Sequence, residues 1–152
     1  MAGEIARALA ELSLLPVPVV ALLLGSGCGG GALALLPSDV LIAASDAWIT
    51  PLPPEGASAI VHRTTAEAPR MAREQRITAV ELASLGVVDA LVSPLAAVGE
   101  AGFLGACADA VARGLSLPGP APTPDRIDRF SRAVGPFVVP GSPQVEGAGD
   151  DR

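Results

Sequence analysis

Glycines between two apolar segments give this sequence its clearest capacity for chemistry. Within residues 24–34 these are Gly25, Gly27, Gly29, Gly30 and Gly31. Glycine allows positive φ and lets a ligand come close to the main chain, and a following helix adds unpaired N–H groups and the positive end of its dipole. The run therefore predicts a site for an anion or a developing oxyanion. The alternative is a turn that binds nothing.

Length and composition limit the classes of function. With 152 residues, half of them apolar, the chain can bury the core of one modest domain. The net charge is −6 and lysine is absent, which argues against an extended nucleic-acid surface. Cys28 and Cys107 lack the spacing of metal ligands and do not form a secreted disulfide framework, so no metal site is expected.

The apolar run at residues 12–24 superficially resembles a signal sequence. Glu4 and Arg7 do not make a basic leader, and Pro16 and Pro18 interrupt the run. A membrane span would need about 20 uninterrupted apolar residues. We therefore expect a buried strand here, a cytoplasmic protein and no membrane partner.

Hydrophobic periodicity predicts the elements that must position the glycines. Apolar residues recur at helical spacing near the N-terminus, and later runs lack polar alternation, which is typical of strands buried on both faces. Alternating strands and helices indicate an α/β fold with largely parallel strands. The predicted helices are 4–13, 30–36, 57–62, a segment around Met71 and Ala72, 79–85 and 100–113, and the predicted strands are 17–24, 40–44, 47–50 and 87–92.

Several boundaries follow from local chemistry. Prolines make residues 51–56 a rigid loop. Thr64 with Glu67, and Thr78 with Glu81, have capping-box spacing, and Gly86 is a suitable residue to end the second of these helices. The folded domain is expected at 1–116, followed by a Pro-rich linker at 117–124, a short helix at 125–134 and a disordered tail at 135–152.

Taken in order, several segments resemble a known family. These are the glycine run, Pro-Pro-Glu-Gly-Ala-Ser-Ala-Ile at 53–60, Ala-Pro at 68–69, the segment 77–89 and Arg-Ile-Asp-Arg-Phe at 126–130. Together they resemble the carboxyltransferase alpha subunit of bacterial acetyl-CoA carboxylase, a member of the crotonase superfamily. The resemblance implies a crotonase-like spiral of ββα turns, present as roughly the second half of such a domain.

The resemblance also implies an activity. The family moves a carboxyl group from carboxybiotin, on a carrier protein, to an acyl-CoA such as acetyl-CoA, giving malonyl-CoA for fatty acid biosynthesis. By position, the N–H groups of Gly30 and Gly31 would form the oxyanion hole on the biotin side, with Gly27 and Gly29 shaping the approach. Glu55 and Gly56 are expected at the substrate. The implied partners are a beta-type carboxyltransferase subunit and the biotin carboxyl carrier protein, in a hetero-oligomer.

The sequence departs from the family in two respects. The family usually reads Gly-Glu-Gly-Gly-Ser-Gly-Gly, whereas this chain has Ser26 for Glu, Cys28 for Gly and Gly29 for Ser. Met1 falls where the family is already within the domain, so we expect an obligate partner or a misassigned start codon.

Arg70, Arg73 and Arg76 could meet the phosphates of coenzyme A or form a solvated helix face.

Other functions stay open at this point. A crotonase-type hydratase or isomerase needs a carboxylate acid or base, for which Glu55 is the candidate, although Glu55 could instead only serve the helix terminus. A malonate decarboxylase subunit shares the glycine turn. A non-catalytic scaffold subunit of a carboxylase complex is the third alternative. His62, the single histidine, could be an ordinary side chain or a catalytic base.

Overall fold

Strands and helices alternate along the computed structural model, which describes residues 2–117 together with residues 126, 128 and 129. The α/β class predicted from the sequence is confirmed. The elements in chain order are α1 (Ala2–Ser13), β1 (Val20–Leu23), β2 (Ser26–Cys28), α2 (Gly29–Leu33), β3 (Val40–Ala44), β4 (Trp48–Thr50), α3 (Pro54–His62), α4 (Ala68–Gln75), α5 (Ala79–Ser84), β5 (Ala90–Val92) and α6 (Leu95–Leu115).

A parallel sheet in the order β1-β3-β5 carries the core. The central strand β3 is the continuous apolar run that the sequence predicted, and Leu41 to Ala44 are almost fully buried. In β1, Ala21 and Leu23 are buried, whereas Val17, which precedes the strand, is about half exposed. The prediction that residues 17–24 are buried on both faces is therefore wrong at its ends, because β1 pairs only with β3 among the described strands and Pro16 and Pro18 interrupt its start.

A second, two-stranded parallel sheet forms where the sequence predicted only a turn. β2 lies within the glycine run and pairs with β4, Ser26 opposite Trp48 and Cys28 opposite Thr50. Glycine disfavours strands, so local propensity gave no sign of β2. Pairing with β4, which lies 20 residues further along the chain, decides its conformation.

The predicted starts of α3 and α4 need correction. α3 begins at Pro54 and not at residue 57, because proline is well tolerated in the first turn, where its missing N–H has no helical acceptor. The capping box predicted from Thr64 and Glu67 is wrong: Glu67 is the N-cap residue of α4 without a side-chain cap, and Thr64 Oγ1 instead accepts from the N–H of Ala66 at 3.2 Å.

The capping box of α5 is confirmed. The N–H of Glu81 donates to Thr78 Oγ1 at 3.3 Å, and the Glu81 carboxylate accepts from the backbone N–H of Thr78 at 3.3 Å. Gly86 follows the helix at φ 68°, the left-handed conformation that favours glycine after a helix.

Helix α6 begins earlier than predicted and breaks at Gly99, whose φ of 70° is not helical. Cys107 and Ala110 on its predicted inner face are buried, and Gly114 brings the helix close to Val20. By length and composition α6 is the one helix in the described part of the chain that could cross a membrane. Its straight part after Gly99 is shorter than the about 20 residues that a span needs.

Two arginines that follow the Pro-rich segment in sequence lie at the amino-terminal ends of strands β3 and β5. Arg126, Asp128 and Arg129 have helical backbone, and they fall within the helix predicted at 125–134, which stays a prediction. Arg126 pairs with Asp39 just before β3, and Arg129 pairs with Asp89 just before β5, at 2.7 and 2.6 Å. The rest of that helix, residues 118–124 of the predicted linker and the predicted tail at 135–152 lie outside the described residues.

Candidate functional site

The predicted oxyanion residues lie at the junction of β2 and α2. Cys28 is extended, with φ −142° and ψ 145°, and Gly29 then takes a φ of 71°, which reverses the chain into the helix. The N–H groups of Gly29, Gly30 and Gly31 are in the first helical turn, where no acceptor precedes them within the helix. The Cys28 side chain does not cap them. The junction can therefore direct backbone donors at a negatively charged oxygen.

The two proposed donors have different surroundings. Gly31 is exposed, and a Cβ added there would meet nothing within 4 Å. Gly30 is half-buried, because Ile5 Cγ2 of α1 lies 3.5 Å from the position that its Cβ would occupy. A ligand can thus approach the first turn of α2 from the side of Gly31, while α1 covers the other side.

Gly27 is buried and not on the open side of the turn. A Cβ at this position would lie 3.2 Å from side-chain atoms of Leu23, Ala32 and Ile49. Contacts this short are tighter than ordinary van der Waals distance, so an added methyl group would push these neighbours apart, and glycine at position 27 lets β2 pack closely between β1, α2 and β4. That Gly27 shapes the approach of a ligand stays a prediction. It would do so by fixing the position of the turn.

Glu55 and Gly56 lie in the first turn of α3. β4 runs parallel to β2 and ends shortly before α3, so the starts of α2 and α3 follow the carboxyl ends of paired strands. Glu55 is exposed and makes no hydrogen bond with another described residue, whereas Gly56 lies against Leu52. The structure thus places the two predicted groups of site residues at the same edge of the small sheet.

Glu55 also lines a cleft of about 520 Å³. Trp48 and Ile77 supply apolar surface, and Asp46, Glu55 and Arg73 carry charges. Glycines 27–31 do not line it. Its further lining residues are Ser45, Ala47, Pro54, Ala72, Thr78 and Glu81.

Sequence reasoning missed this cleft except for Glu55 and Arg73. It forms because residues 77–79 return to the start of β4: the N–H of Ile49 donates to the Ile77 carbonyl at 3.0 Å, and the N–H of Ala79 donates to the Ala47 carbonyl at 2.8 Å. A contact between segments 30 residues apart leaves no local pattern. The capping box at Thr78 was the one available signal, and it indicated only the start of a helix.

The remaining candidates are not gathered into one site. His62 is half-buried at the far end of α3 from Glu55, and its Nε2 has no partner among the described residues. Arg70 hydrogen-bonds Glu74 at 2.7 Å, which together with the charge of Glu74 raises the pKa of that arginine. Arg76 donates to Ser84 Oγ. No group of histidine, cysteine, aspartate or glutamate within the described ranges could hold a metal ion.

Comparison with known proteins matches the chain to a carboxyltransferase-like family. Residues 1–109 match the family described as "Acetyl co-enzyme A carboxylase carboxyltransferase-like". The chain is 53% identical over 92 residues to the probable biotin-dependent acyl-coenzyme A carboxylase beta3 subunit of Mycobacterium tuberculosis, covering 60% of this chain and 19% of that protein. It is 36% identical to the acetyl-coenzyme A carboxylase carboxyl transferase subunit alpha of Xanthobacter autotrophicus, covering 85% of this chain and 43% of that protein.

The fold has relatives among solved structures. The crystal structure of the transcarboxylase 12S hexamer with bound methylmalonyl-coenzyme A has a TM-score of 0.59 at 24% identity, covering 74% of this chain and 22% of that chain. The crotonase-like fold implied by the resemblance is confirmed. The chain spans less than half the length of each of these proteins. Because the family pattern matches well over half of the chain, the chain belongs to the acetyl-coenzyme A carboxylase carboxyltransferase-like family.

Proposed function

We propose that this chain is a subunit, or part of one, of a biotin-dependent acyl-CoA carboxylase and takes part in moving a carboxyl group from carboxybiotin to an acyl-CoA. Family membership supports the reaction class. The observation that carries the site assignment is the first turn of α2, which is uncapped by Cys28 and open beside Gly31. We further propose acetyl-CoA as the acceptor and malonyl-CoA, for fatty acid biosynthesis, as the product. The name of the Xanthobacter relative supports this choice.

The glycine turn fits the chemistry that such a transfer demands. Carboxybiotin supplies the carboxyl group, and its ureido oxygen gains negative charge as that group leaves. The N–H groups of Gly30 and Gly31 are held by the helix before the reaction begins, so they stabilise this charge more in the transition state than in the ground state. The open space beside Gly31 leaves room for a planar ring to approach the main chain.

The proposal includes partners that the described residues do not contain. We propose a beta-type carboxyltransferase subunit, which supplies the acyl-CoA side of the site, and a biotin carboxyl carrier protein, in a cytoplasmic hetero-oligomer. The relatives named as beta3 and alpha subunits support an assembly of several chains.

The proposal is tested by deleting one donor N–H while leaving the helix in place. Gly30→Pro removes the N–H at the second helical position, where proline is tolerated, and Gly30→Ala is the matched control that keeps it. The φ of Gly30 is not left-handed, and Ile5 lies at an ordinary contact distance from an added Cβ, so the Cβ that both variants introduce has room. The assay is malonyl-CoA decarboxylation with free biotin, using the complex co-expressed with a beta-type subunit.

We expect Gly30→Pro to lower kcat by about 10²- to 10³-fold, the effect typical of losing one oxyanion donor. Gly30→Ala should stay within a few-fold of the wild type. Gly30→Val and Gly31→Val should each abolish transfer, and at position 31 the added side chain would stand in the open space through which a ligand approaches the turn. If Gly30→Pro folds and turns over like the wild type, the assignment of the donors is wrong.

The exposed carboxylate of Glu55 on the cleft favours a second candidate, a crotonase-type hydratase or isomerase. Glu55 has no hydrogen-bond partner among the described residues and is free to exchange a proton with a bound thioester. Enoyl-CoA hydration that is abolished in Glu55→Gln would support this function. If Glu55→Gln instead leaves malonyl-CoA decarboxylation intact and no hydration occurs, Glu55 only stabilises the start of α3.

A further inference from the structure

Helix α1 is attached to the rest of the structure in an unusual way. From residue 3 to residue 13 none of its residues is buried. Burial of an apolar face is the main force that holds most surface helices, and it is weak here. The position of α1 must therefore depend on other contacts.

Arg126 supplies such contacts at the carboxyl end of α1. Its Nη1 donates to the carbonyls of Leu12, Ser13 and Leu15 at 3.1–3.3 Å. Its Nη2 donates to the carbonyl of Val17 at 3.1 Å. The last turn of α1 contains no basic residue of its own, so Arg126, which is more than 100 residues away in sequence, satisfies the helix-end carbonyls and places a positive charge at the negative end of the dipole.

Arg126 is itself fixed to the sheet. Its guanidinium makes a two-pronged pair with Asp39, at 3.0 Å from Nε to Oδ1 and 2.7 Å from Nη2 to Oδ2, and its side chain is 1% exposed. Asp39 directly precedes β3, the central strand, and also accepts from the N–H of Val19 before β1. Arg126 therefore joins α1 to the most buried part of the fold.

The opposite end of α1 lies beside the glycine turn. Ile5 is eight residues before the end of α1, which corresponds to about 12 Å along the helix axis, and its Cγ2 lies 3.5 Å from the position that a Cβ on Gly30 would occupy. A tilt of about 10° around the end held by Arg126 would move Ile5 by about 2 Å, which is enough to open a gap beside Gly30. The orientation of α1 therefore determines whether the Ile5 side chain covers Gly30.

We propose that Arg126 is a positioning residue for the backbone donors of the glycine turn, acting through α1 and Ile5. The catalytic part of this inference rests on the proposed function, but the mechanical part does not. Arg126 touches neither the turn nor any substrate in this arrangement. It orders the first turn of α2 by fixing the helix that covers Gly30.

The test measures backbone order in the full chain by ¹⁵N NMR relaxation, which requires no substrate or partner. In the wild type, the N–H groups of Gly30 and Gly31 should have order parameters near the rigid value of about 0.85. Arg126→Lys and Arg126→Met should lower these below about 0.6. Lysine keeps the charge but cannot reproduce the guanidinium fork, so it should not rescue the order.

Two further variants separate positioning from general stability. Ile5 is half exposed, and Ile5→Ala removes the side-chain atoms that cover Gly30. It leaves the Arg126 bonds intact and should loosen the turn alone. Arg129→Met breaks the pair with Asp89 at the same edge of the sheet but touches no atom of α1, so it should leave Gly30 unchanged. If the Arg126 variants do not fold, Ile5→Ala decides whether α1 holds the turn.

The inference is overturned if Gly30 is already mobile in the wild type, if Ile5→Ala leaves its order unchanged, or if Arg129→Met loosens it as much as Arg126→Met. In the assembled carboxyltransferase, Arg126→Lys should lower kcat while KM for the CoA thioester stays the same. Loosening of the turn combined with an inactive wild-type complex would refute the proposed function and leave the positioning role of Arg126 intact.

Discussion

Replacing Gly27 by alanine tests whether this glycine serves packing. The added Cβ would lie 3.2 Å from Leu23 Cδ1, from Ala32 Cβ and from Ile49 Cγ1. Favourable carbon contacts are about 3.5–4.0 Å long, so all three neighbours would have to move apart. They belong to β1, α2 and β4, which means that no single flexible side chain can make the space.

The expected cost can be worked out from two opposing effects. Overpacking a buried position typically destabilises by about 1–3 kcal/mol. Replacing glycine reduces the freedom of the unfolded chain and returns about 0.4–1 kcal/mol. The φ of Gly27 is not left-handed, so backbone strain adds nothing. We therefore expect Gly27→Ala to lower the free energy of unfolding by about 1–2 kcal/mol.

Urea unfolding of the full chain, followed by circular dichroism, measures this change as a lower midpoint at a constant m value. Gly31→Ala is the matched control, because its added methyl group meets nothing within 4 Å and alanine is favoured in a helix. That control should be as stable as the wild type or slightly more stable. A Gly27→Ala protein with unchanged stability would refute the packing explanation and return Gly27 to a role at the ligand.

Three further predictions concern single residues. Gly114→Ala places a methyl group 3.0 Å from Val20 Cγ2 and should lower the free energy of unfolding by about 1 kcal/mol, after allowing for the helix preference for alanine. Gly105→Ala adds its methyl group to open space and should raise the stability. The urea midpoints of the two variants test both expectations. Thr78→Ala removes the confirmed cap of α5 and should cost about 1 kcal/mol, seen as a fall in Tm of about 2–4 °C. Arg63 is left-handed at φ 56°, a conformation that glycine adopts without strain. Arg63→Gly should therefore raise the free energy of unfolding by about 0.5–1 kcal/mol, measured as a higher urea midpoint, whereas Arg63→Ala should not.

Local patterns were enough to predict much of the fold. The apolar run at Val40–Ala44 predicted β3 without error, since a strand buried on both faces has no polar alternation. The spacing of Thr78 and Glu81 predicted the start of α5, because a capping box involves residues only three positions apart. The glycine run likewise indicated a turn with donors at the start of a helix, and the family resemblance gave that turn a specific candidate role.

Contacts between distant segments decided the rest. The glycine run predicts Gly27 as part of a site for a ligand, but its neighbours come from three elements that meet only in the folded chain. The cleft beside Glu55 depends on residues 77–79 pairing with residues 47–49. Neither arrangement leaves a periodic signal, because the partners are separated by connections whose path the sequence does not encode locally.

Glycine and a helix start are local properties, so the residues around Gly30 and Gly31 are enough to identify backbone groups that could bind a developing negative charge. The side chains that cover those groups depend on contacts that form only in the folded chain. Ile5 covers one side of the turn, and Arg126 holds the helix that carries Ile5. Donors that are free at a helix start follow from a few neighbouring residues, whereas holding them still requires contacts that cross the whole chain.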